Sequence, residues 1–343
     1  MRITERRTDG EHELLLTAEE PESGYRGVIA IHSTRLGPAV GGARFWNYAD
    51  EEEAVTDALR LSRGMTYKNA LAGLPLGGGK SVIIGDNRTP DRERIFRAHG
   101  RFVERLGGRY VTAEDVGTSP ADMEFVRRET DHVAGLLDRS GDPSPVTARG
   151  VFRAAQAAAR ARWGTDELAG RRVAMQGCGH VGYHLARELH RAGASLVVTD
   201  TDAERVRRVV EECGAERVAP EEIYSAPADI FAPCALGGVL NDESVPLLRC
   251  RAIAGAANNQ LAAEPVGELL AQRGILWVPD FVANAGGIIN ICVEFEPGGY
   301  APERADAKVR AIADTVRAVL DHAEATNTTP LAAAMEIARR RVA

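Results

Sequence analysis

Gly177-Cys178-Gly179-His180-Val181-Gly182 reads G-x-G-x-x-G, a spacing suited to a pyrophosphate. The first glycine permits a tight turn, the second lets the backbone approach the anion, and the third lets the following helix pack closely on the preceding strand. The amino end of that helix offers unpaired N–H groups and the positive end of its dipole. Asp200 stands 18 residues after Gly182, at the end of SLVVTD, where a carboxylate accepts hydrogen bonds from the adenosine ribose and repels a 2′-phosphate. The hexapeptide alone is a weak signal; strand, glycines, helix and acid in register predict a dinucleotide site that takes NAD rather than NADP. His180 and His184 are four residues apart and could share a metal from one helix face. His180, however, occupies a variable position of the phosphate loop and no third ligand is near in sequence, so no metal site is expected.

A second group of residues suited to chemistry lies earlier: Gly41-Gly42, then Met65-Thr66-Tyr67-Lys68-Asn69, then Gly77-Gly78-Gly79-Lys80-Ser81. Gly79-Lys80-Ser81 invites comparison with the G-x-x-x-x-G-K-S loop of nucleotide hydrolases. The first glycine of that motif falls on Leu74, and Lys80 runs into the β-branched SVIIGD, which predicts a strand where a phosphate loop must open a helix.

These residues need a scaffold. GVIAIHS (27–33) and KSVIIGD (80–86) read as strands, and 51–65, 91–106 and 119–128 as helices. The stretch GLLDRSGDPSPVT (135–147) has the composition of a hinge or turn. Beyond it a helix over 146–164 leads into an alternation of strand and helix: RRVAMQG, VGYHLARELHRAG, SLVVTD, AERVRRVVEEC. Further strands are expected at 229–233, 252–255 and 275–280. This rhythm predicts a parallel, doubly wound sheet. Helices over 302–324 and 330–341 close the chain and are expected to return to the first domain.

The bulk properties narrow the partners. A chain of 343 residues with 44% hydrophobic and 27% charged residues has the size of two domains. Its net charge of −7 argues against nucleic acid and anionic membrane surfaces, which need clustered positive charge. No apolar run reaches the roughly 18 residues of a membrane span, and the charged amino terminus lacks the apolar core of a signal peptide. Five scattered cysteines, Cys178, Cys213, Cys234, Cys250 and Cys292, fit reduced thiols. A cytoplasmic protein is expected, with small molecules and copies of itself as partners.

LGPAVGGARFW (36–46), DALRLSRGMTYKNALAGLPLGGGKSVIIGD (57–86) and GGRYVTAEDVGTSPADM (107–123) resemble the glutamate/leucine/phenylalanine/valine dehydrogenase family, and SPVTARGV, APCALGGVLND, AGAANNQLA and VPDFVANAGGIIN continue the likeness. It covers nearly the whole chain. The resemblance implies a two-domain α/β fold: a catalytic and oligomerisation domain over 1–134, a Rossmann-type domain over 135–320, a returning carboxyl-terminal helix over 321–343, and an active site in the cleft between the domains. It implies a homo-oligomer and a reversible reaction in which an L-amino acid, NAD and water give a 2-oxo acid, NADH and ammonium.

That chemistry assigns roles. A zwitterionic substrate needs a fixed cation for its carboxylate, and Lys68, near Met65 on one helix face, is the expected anchor. A second lysine must be neutral when water attacks the imine; burial beside Lys68 would depress its pKa. Lys80 is expected in that role, with glycines 77 to 79 leaving space for substrate. Asp115 would exchange a proton with the substrate nitrogen. By resemblance alone, Gly41 and Gly42 border the substrate, Asn258 and Asn259 border substrate and cofactor, Asn284 contacts the nicotinamide amide, Ala235 and Leu236 run beside the cofactor, and Thr147 lies near the nicotinamide.

The resemblance also marks Val40, Ala113, Ile288 and Ile291 as the side-chain pocket. All are apolar, so glutamate is not the expected substrate. A methylene is worth about 1–3 kcal/mol in such a pocket, too little to rank leucine, isoleucine and valine by reading. A branched-chain amino acid is expected, with an aromatic one (phenylalanine or tryptophan) as the alternative. A catalytically silent NAD-binding regulator is disfavoured because Lys68, Lys80 and Asp115 are all present.

Overall fold

In the computed structural model, which describes residues 1–8 and 10–343, contacts divide the chain into two compact units. The first comprises Met1–Asp142, Ile291–Ala301 and Ala338–Ala343; the second comprises Pro143–Asn290 and Pro302–Ile337.

The first unit holds β1 (Arg2–Glu5), β2 (Leu14–Glu20), β3 (Tyr25–Ser33), β4 (Ala39–Trp46), α1 (Glu51–Leu71), β5 (Gly77–Ile84), α2 (Arg92–Glu104), β6 (Tyr110–Glu114) and α3 (Pro120–Arg127). Its mixed sheet runs β1-β2-β3-β5-β4-β6. The pairings β1–β2, β2–β3 and β3–β5 are antiparallel, whereas β4 is parallel to both β5 and β6. Alternation along β3 sorts the two faces: Ile29 and Ile31 pack with Phe96, Phe102 and Tyr110 on one side, Val28 and Ala30 with Ala54, Val55 and Ala58 of α1 on the other.

The helices carry explicit start signals. Asp50 caps α1 by accepting from the Glu53 N–H at 2.8 Å, with three glutamates in its first turn where the helix dipole favours them. Ser119 and Asp122 form a reciprocal capping box on α3. The sequence predicts α1 only to residue 65; it continues to Leu71, because Thr66 and Asn69 are buried polar residues that interrupt the apolar pattern while remaining inside the fold.

The second unit follows the expected alternation: α4 (Ser144–Trp163), β7 (Arg172–Gln176), α5 (His180–Arg191), β8 (Ser195–Thr199), α6 (Ala203–Cys213), β9 (Glu216–Arg217), β10 (Ile230–Pro233), β11 (Ala252–Ile253), α7 (Val266–Gln272), β12 (Leu276–Trp277) and α8 (Asp280–Ala283). Its sheet is parallel throughout, in the order β12-β11-β10-β7-β8-β9. This is the doubly wound order, with a switch point between β7 and β10. The chain passes between the units along α9 (Gly286–Cys292).

The closing helices differ from expectation. The predicted helix over 302–324 is two, α10 (Pro302–Arg310) and α11 (Ile312–Thr326). Both pack on α4 in the second unit, rather than returning to the first. The last helix, α12 (Pro330–Val342), seats Leu331 on the second unit's core, and only Ala338–Ala343 belongs to the first unit. There Arg341 donates to the carbonyls of Ala70 and Leu71 at the end of α1, both at 2.9 Å.

Candidate active site

Residues paired across a sheet share a face, so register decides which side chains can meet. Lys80 pairs with Ala30, and Val82 with Val28; all therefore point towards α1. Val40 pairs with Gly78 and Val111, Gly42 with Ala113, and Arg44 with Val82. Val40, Gly42, Arg44, Lys80 and Ala113 thus occupy the α1 face, the face above which Met65 and Lys68 are carried. Gly41 alternates to the opposite side, where its carbonyl accepts from the Tyr110 hydroxyl; it can offer a ligand only backbone atoms.

Lys80 is 5% exposed, and its ammonium donates to the Asp115 carboxylate. Asp115 follows β6, in a turn held by its own N–H donating to Thr118 Oγ1 at 2.8 Å. The same Asp115 oxygen accepts from Arg44 Nε at 3.3 Å. Arg44 Nη1 donates to Asp57 at 2.9 Å, and Asp57 also accepts from the Tyr48 hydroxyl at 2.7 Å and from Arg60 at 2.8 Å. Burial pushes the Lys80 pKa down, opposed by Asp115 and assisted by Arg44, with a net lowering. Burial pushes Asp115 up, but Lys80 and Arg44 outweigh it and hold the carboxyl below its ordinary value. Glu114 keeps solvent contact, yet partial desolvation and the carboxylates of Asp142, Asp115 and Asp122 push it up to about 7. Arg44 and Asp57 fall within segments that carry the family resemblance, 36–46 and 57–86, but neither they nor Tyr48 match a motif that assigns them a role.

The three glycines do not leave room for substrate as expected. They begin β5, and a Cβ on Gly77 would lie 2.1 Å from the Ser33 carbonyl oxygen, one on Gly78 2.1 Å from the Thr66 backbone nitrogen, and one on Gly79 2.6 Å from the Tyr110 ring. The protein itself fills the space. Glycine here lets α1, β3 and Tyr110 close on the strand that carries Lys80. Behind that strand Ser81 faces the other way, within 3.3 Å of His99 Nε2, which also meets Thr112; Tyr25 bonds His99 Nδ1 at 2.9 Å. Burial pushes His99 down to about 3, so this buried polar support is neutral.

In the second unit the phosphate loop has the geometry its glycines require. Gly177 has φ +106°, its N–H donates to the Thr199 carbonyl at 2.8 Å, and a Cβ on Gly182 would lie 2.1 Å from the Gly177 oxygen. Gly179 caps α5, with His180 and Val181 opening the helix; a Cβ there would meet only Arg205, at 3.9 Å. The backbone is therefore accessible to an anion. Asp200 accepts from Cys178 N–H at 2.7 Å and from Asp202 N–H at 2.9 Å, which fixes its carboxylate beside the loop. Arg205 is a neighbour that sequence reading missed.

β10 ends next to this loop: a Cβ on Gly177 would lie 2.8 Å from Ala235 N, and Leu236 is 79% exposed. Gln260 ties the Asn258-Asn259 turn to Gly255, Ala257 and Trp277, and its N–H donates to Asp280 at 2.8 Å. Asn259 sits in the left-handed region at φ 52°. Asn284 Nδ2 donates to Ala256 O at 3.0 Å and to Asn258 Oδ1 at 2.7 Å, while its own Oδ1 is buried with no partner among the described residues. A buried acceptor so placed fits a carboxamide N–H. Thr147 donates to Pro143 O at 2.9 Å, with its hydroxyl close to Gly287. Ile288 is 8% exposed in the second unit; Ile291 begins the returning segment of the first. The open loop, the fixed acid and the unpartnered amide together fit a nicotinamide dinucleotide.

Residues 12–132 match the family described as Glu/Leu/Phe/Val dehydrogenase, dimerisation domain, and residues 140–204 and 198–343 match Glutamate/Leucine/Phenylalanine/Valine dehydrogenase. The chain belongs to this family. It is 51% identical over 335 residues to the leucine dehydrogenase of Geobacillus stearothermophilus, covering 97% of this chain and 91% of that one. It is 48% identical over 339 residues to the valine dehydrogenase of Streptomyces virginiae, covering 97% and 94%. The crystal structure of L-tryptophan dehydrogenase from Nostoc punctiforme superposes with a TM-score of 0.86 at 45% identity, covering 97% and 96%. As a family member the chain has the two-domain α/β dehydrogenase fold, and among its described residues no helix is long and apolar enough to cross a membrane.

Proposed function

We propose that this dehydrogenase catalyses the reversible, NAD-dependent oxidative deamination of a branched-chain L-amino acid. The observation that carries the reading is the buried Lys80–Asp115 pair, on a sheet face that also presents Val40, Gly42 and Ala113. It is supported by likeness to leucine and valine dehydrogenases along almost the whole chain.

A bound nicotinamide dinucleotide supplies the hydride acceptor for the substrate Cα. Gly177–Gly182 would hold its pyrophosphate, Asp200 its ribose, and Thr147, Ala235, Leu236, Asn258 and Asn284 its nicotinamide end. The fixed Asp200 carboxylate favours NAD over NADP by repelling a 2′-phosphate.

Lys68 holds the substrate carboxylate. Lys80, its cationic form destabilised by burial, takes the proton of the water that adds to the imine carbon and then hydrogen-bonds the carbinolamine oxygen. Asp115 accepts a proton from the substrate ammonium and returns it to the carbinolamine nitrogen; as the C–N bond breaks the hydroxyl proton is released to form the 2-oxo carbonyl, and the departing ammonia takes it up to leave as ammonium. Met65, Gly41, Gly42 and Asn259 border the reacting end, and Val40, Ala113, Ile288 and Ile291 take the apolar side chain. None of these four can pair with a second carboxylate, which argues against glutamate.

The protein works as a homo-oligomer, since its first unit matches a dimerisation domain. Five free thiols suit a reducing cytoplasm. Likeness to a tryptophan dehydrogenase supports a second, aromatic reading. The test is NADH formation at alkaline pH with leucine, isoleucine, valine, phenylalanine, tryptophan and glutamate, repeated with NADP. Turnover led by the branched-chain substrates is expected; an aromatic preference would replace the first reading with the second, and no turnover of any apolar amino acid would refute both.

A further inference from the structure

The ion pair at Lys80 does not end at Asp115. Arg44, on β4, reaches Asp115 with Nε and Asp57 of α1 with Nη1. Asp57 is in turn held by Tyr48 and Arg60. The side chains of Arg44, Asp57 and Asp115 are 19%, 14% and 18% exposed, so these bonds form where water competes poorly. A planar guanidinium with donors on separate edges can bridge two carboxylates at once, which an ammonium cannot do with fixed geometry.

We propose that Arg44 is a positioning residue: a permanent cation, locked by Asp57, that orients the Asp115 carboxylate towards Lys80 and sets how readily Lys80 gives up its proton. The inference rests on the reading of Lys80 as the group that activates water. Arg44 opposes a charged Lys80, whereas Asp57 favours one. The other charged or titratable groups carried on this side by the surrounding elements include Lys68, Arg60 and Tyr67 on α1, His32 on β3, whose ring meets Thr66 and Tyr67, Tyr48 after β4, and Glu114 beside Asp115. Arg44 keeps its charge across the working pH range, because Asp115 and Asp57 raise its pKa against the effect of burial. It can therefore act as a constant field while Lys80 takes a proton from water and Asp115 exchanges one with the substrate nitrogen.

The chain makes the test direct, since it has only three lysines, Lys68, Lys80 and Lys308. Lysine labelled with ¹³C at Cε gives few resonances, and that of Lys80 is assigned by its loss in K80R. The titration midpoint of Lys80 should rise by about half a unit or more in R44Q, through loss of a neighbouring like charge, and fall in D57N. In R44K the charge persists, so the midpoint should stay near that of the unaltered protein while kcat falls through lost orientation. The pH profile of kcat/KM should move with the resonance in each case. A purely structural role would lower stability in all three without opposite shifts, and shifts of the same sign in R44Q and D57N, or none, would overturn the inference. Should R44Q fail to fold, D57N and R44K decide: a fall in the first with no change in the second supports the role, and any other pattern overturns it. If the unaltered protein turns over no amino acid, the functional reading fails, but the resonances still decide whether Arg44 and Asp57 set the protonation of Lys80.

Discussion

Lys80 and Asp115 form their ion pair across an intervening strand. Lys80 lies on β5, Asp115 follows β6, and β4 runs between them. Val40 pairs with Gly78 and Ala43 with Ser81, so Gly42 stands beside Lys80, and a Cβ there would lie 2.7 Å from the Asp115 Cβ and 2.4 Å from the Glu114 carbonyl oxygen. The absence of a side chain at Gly42 is what lets the two charges meet.

Gly42→Ala should therefore separate the pair. Overpacking of this kind costs about 1–3 kcal/mol, and the reaction should suffer more than the fold. A variant with lowered Tm and a much larger relative loss in kcat is expected; unaltered kcat would show that the close approach across β4 does not matter to the reaction.

The two lysines should separate in kinetics. Lys80→Ala removes the proposed proton acceptor, and kcat should fall by about 10²–10⁴, with dinucleotide binding retained in a titration of NADH fluorescence. Lys68→Ala removes a charged hydrogen-bond partner worth about 1.5–3 kcal/mol and should act chiefly on the amino acid KM. Equal effects of the two substitutions on KM would contradict the division of labour.

Glu114 predicts a pH dependence of stability. Its carboxyl is raised to about 7 from an ordinary 4.5, so the folded state favours the neutral acid. The resulting stabilisation is fully present below the unfolded value and is lost as pH rises through about 7. Glu114→Gln should leave Tm little changed in acid and raise it on the alkaline side. Thermal melts of both proteins between roughly pH 5 and pH 8 would expose the difference, and parallel curves would count against the shift.

Asp200 predicts cofactor choice. Replacing it by serine removes the charge opposed to a 2′-phosphate while leaving Arg205, already close to Gly179, to attract one. The ratio of kcat/KM for NADP over NAD should rise at least about tenfold, since juxtaposed like charges cost several kcal/mol. A ratio that does not move would mean that discrimination lies elsewhere.

The second unit was the more legible in sequence. Its elements are local units in which apolar runs, glycines and caps fall in chain order, and parallel strands joined by helices follow one handed rule. The turn at Gly177 and Gly182, with Asp200 beside it, could be placed from spacing because strand, turn and helix are contiguous. In the first unit β4 and β6 were not identified as strands: Ala39–Trp46 contains two glycines, and Tyr110–Glu114 has only five residues. For the closing helices an apolar stripe shows that a helix packs, but not on what, so the unit to which each part belongs is set by the fold.

By itself the sequence determined the glycine-rich turn between β7 and α5, the strand after the triple glycine that excludes a phosphate-loop hydrolase, and the family that links Lys68, Lys80 and Asp115. Tertiary structure alone decided that glycines 77 to 79 are filled by the protein's own backbone and Tyr110, that Gly42 is the gap through which Lys80 reaches Asp115, and that Arg44 and Asp57 stand behind the pair. The reason is geometric. Local pattern encodes the alternation of a strand, but which strands lie side by side, and hence which charges share a buried face, is set by pairings between distant segments of chain.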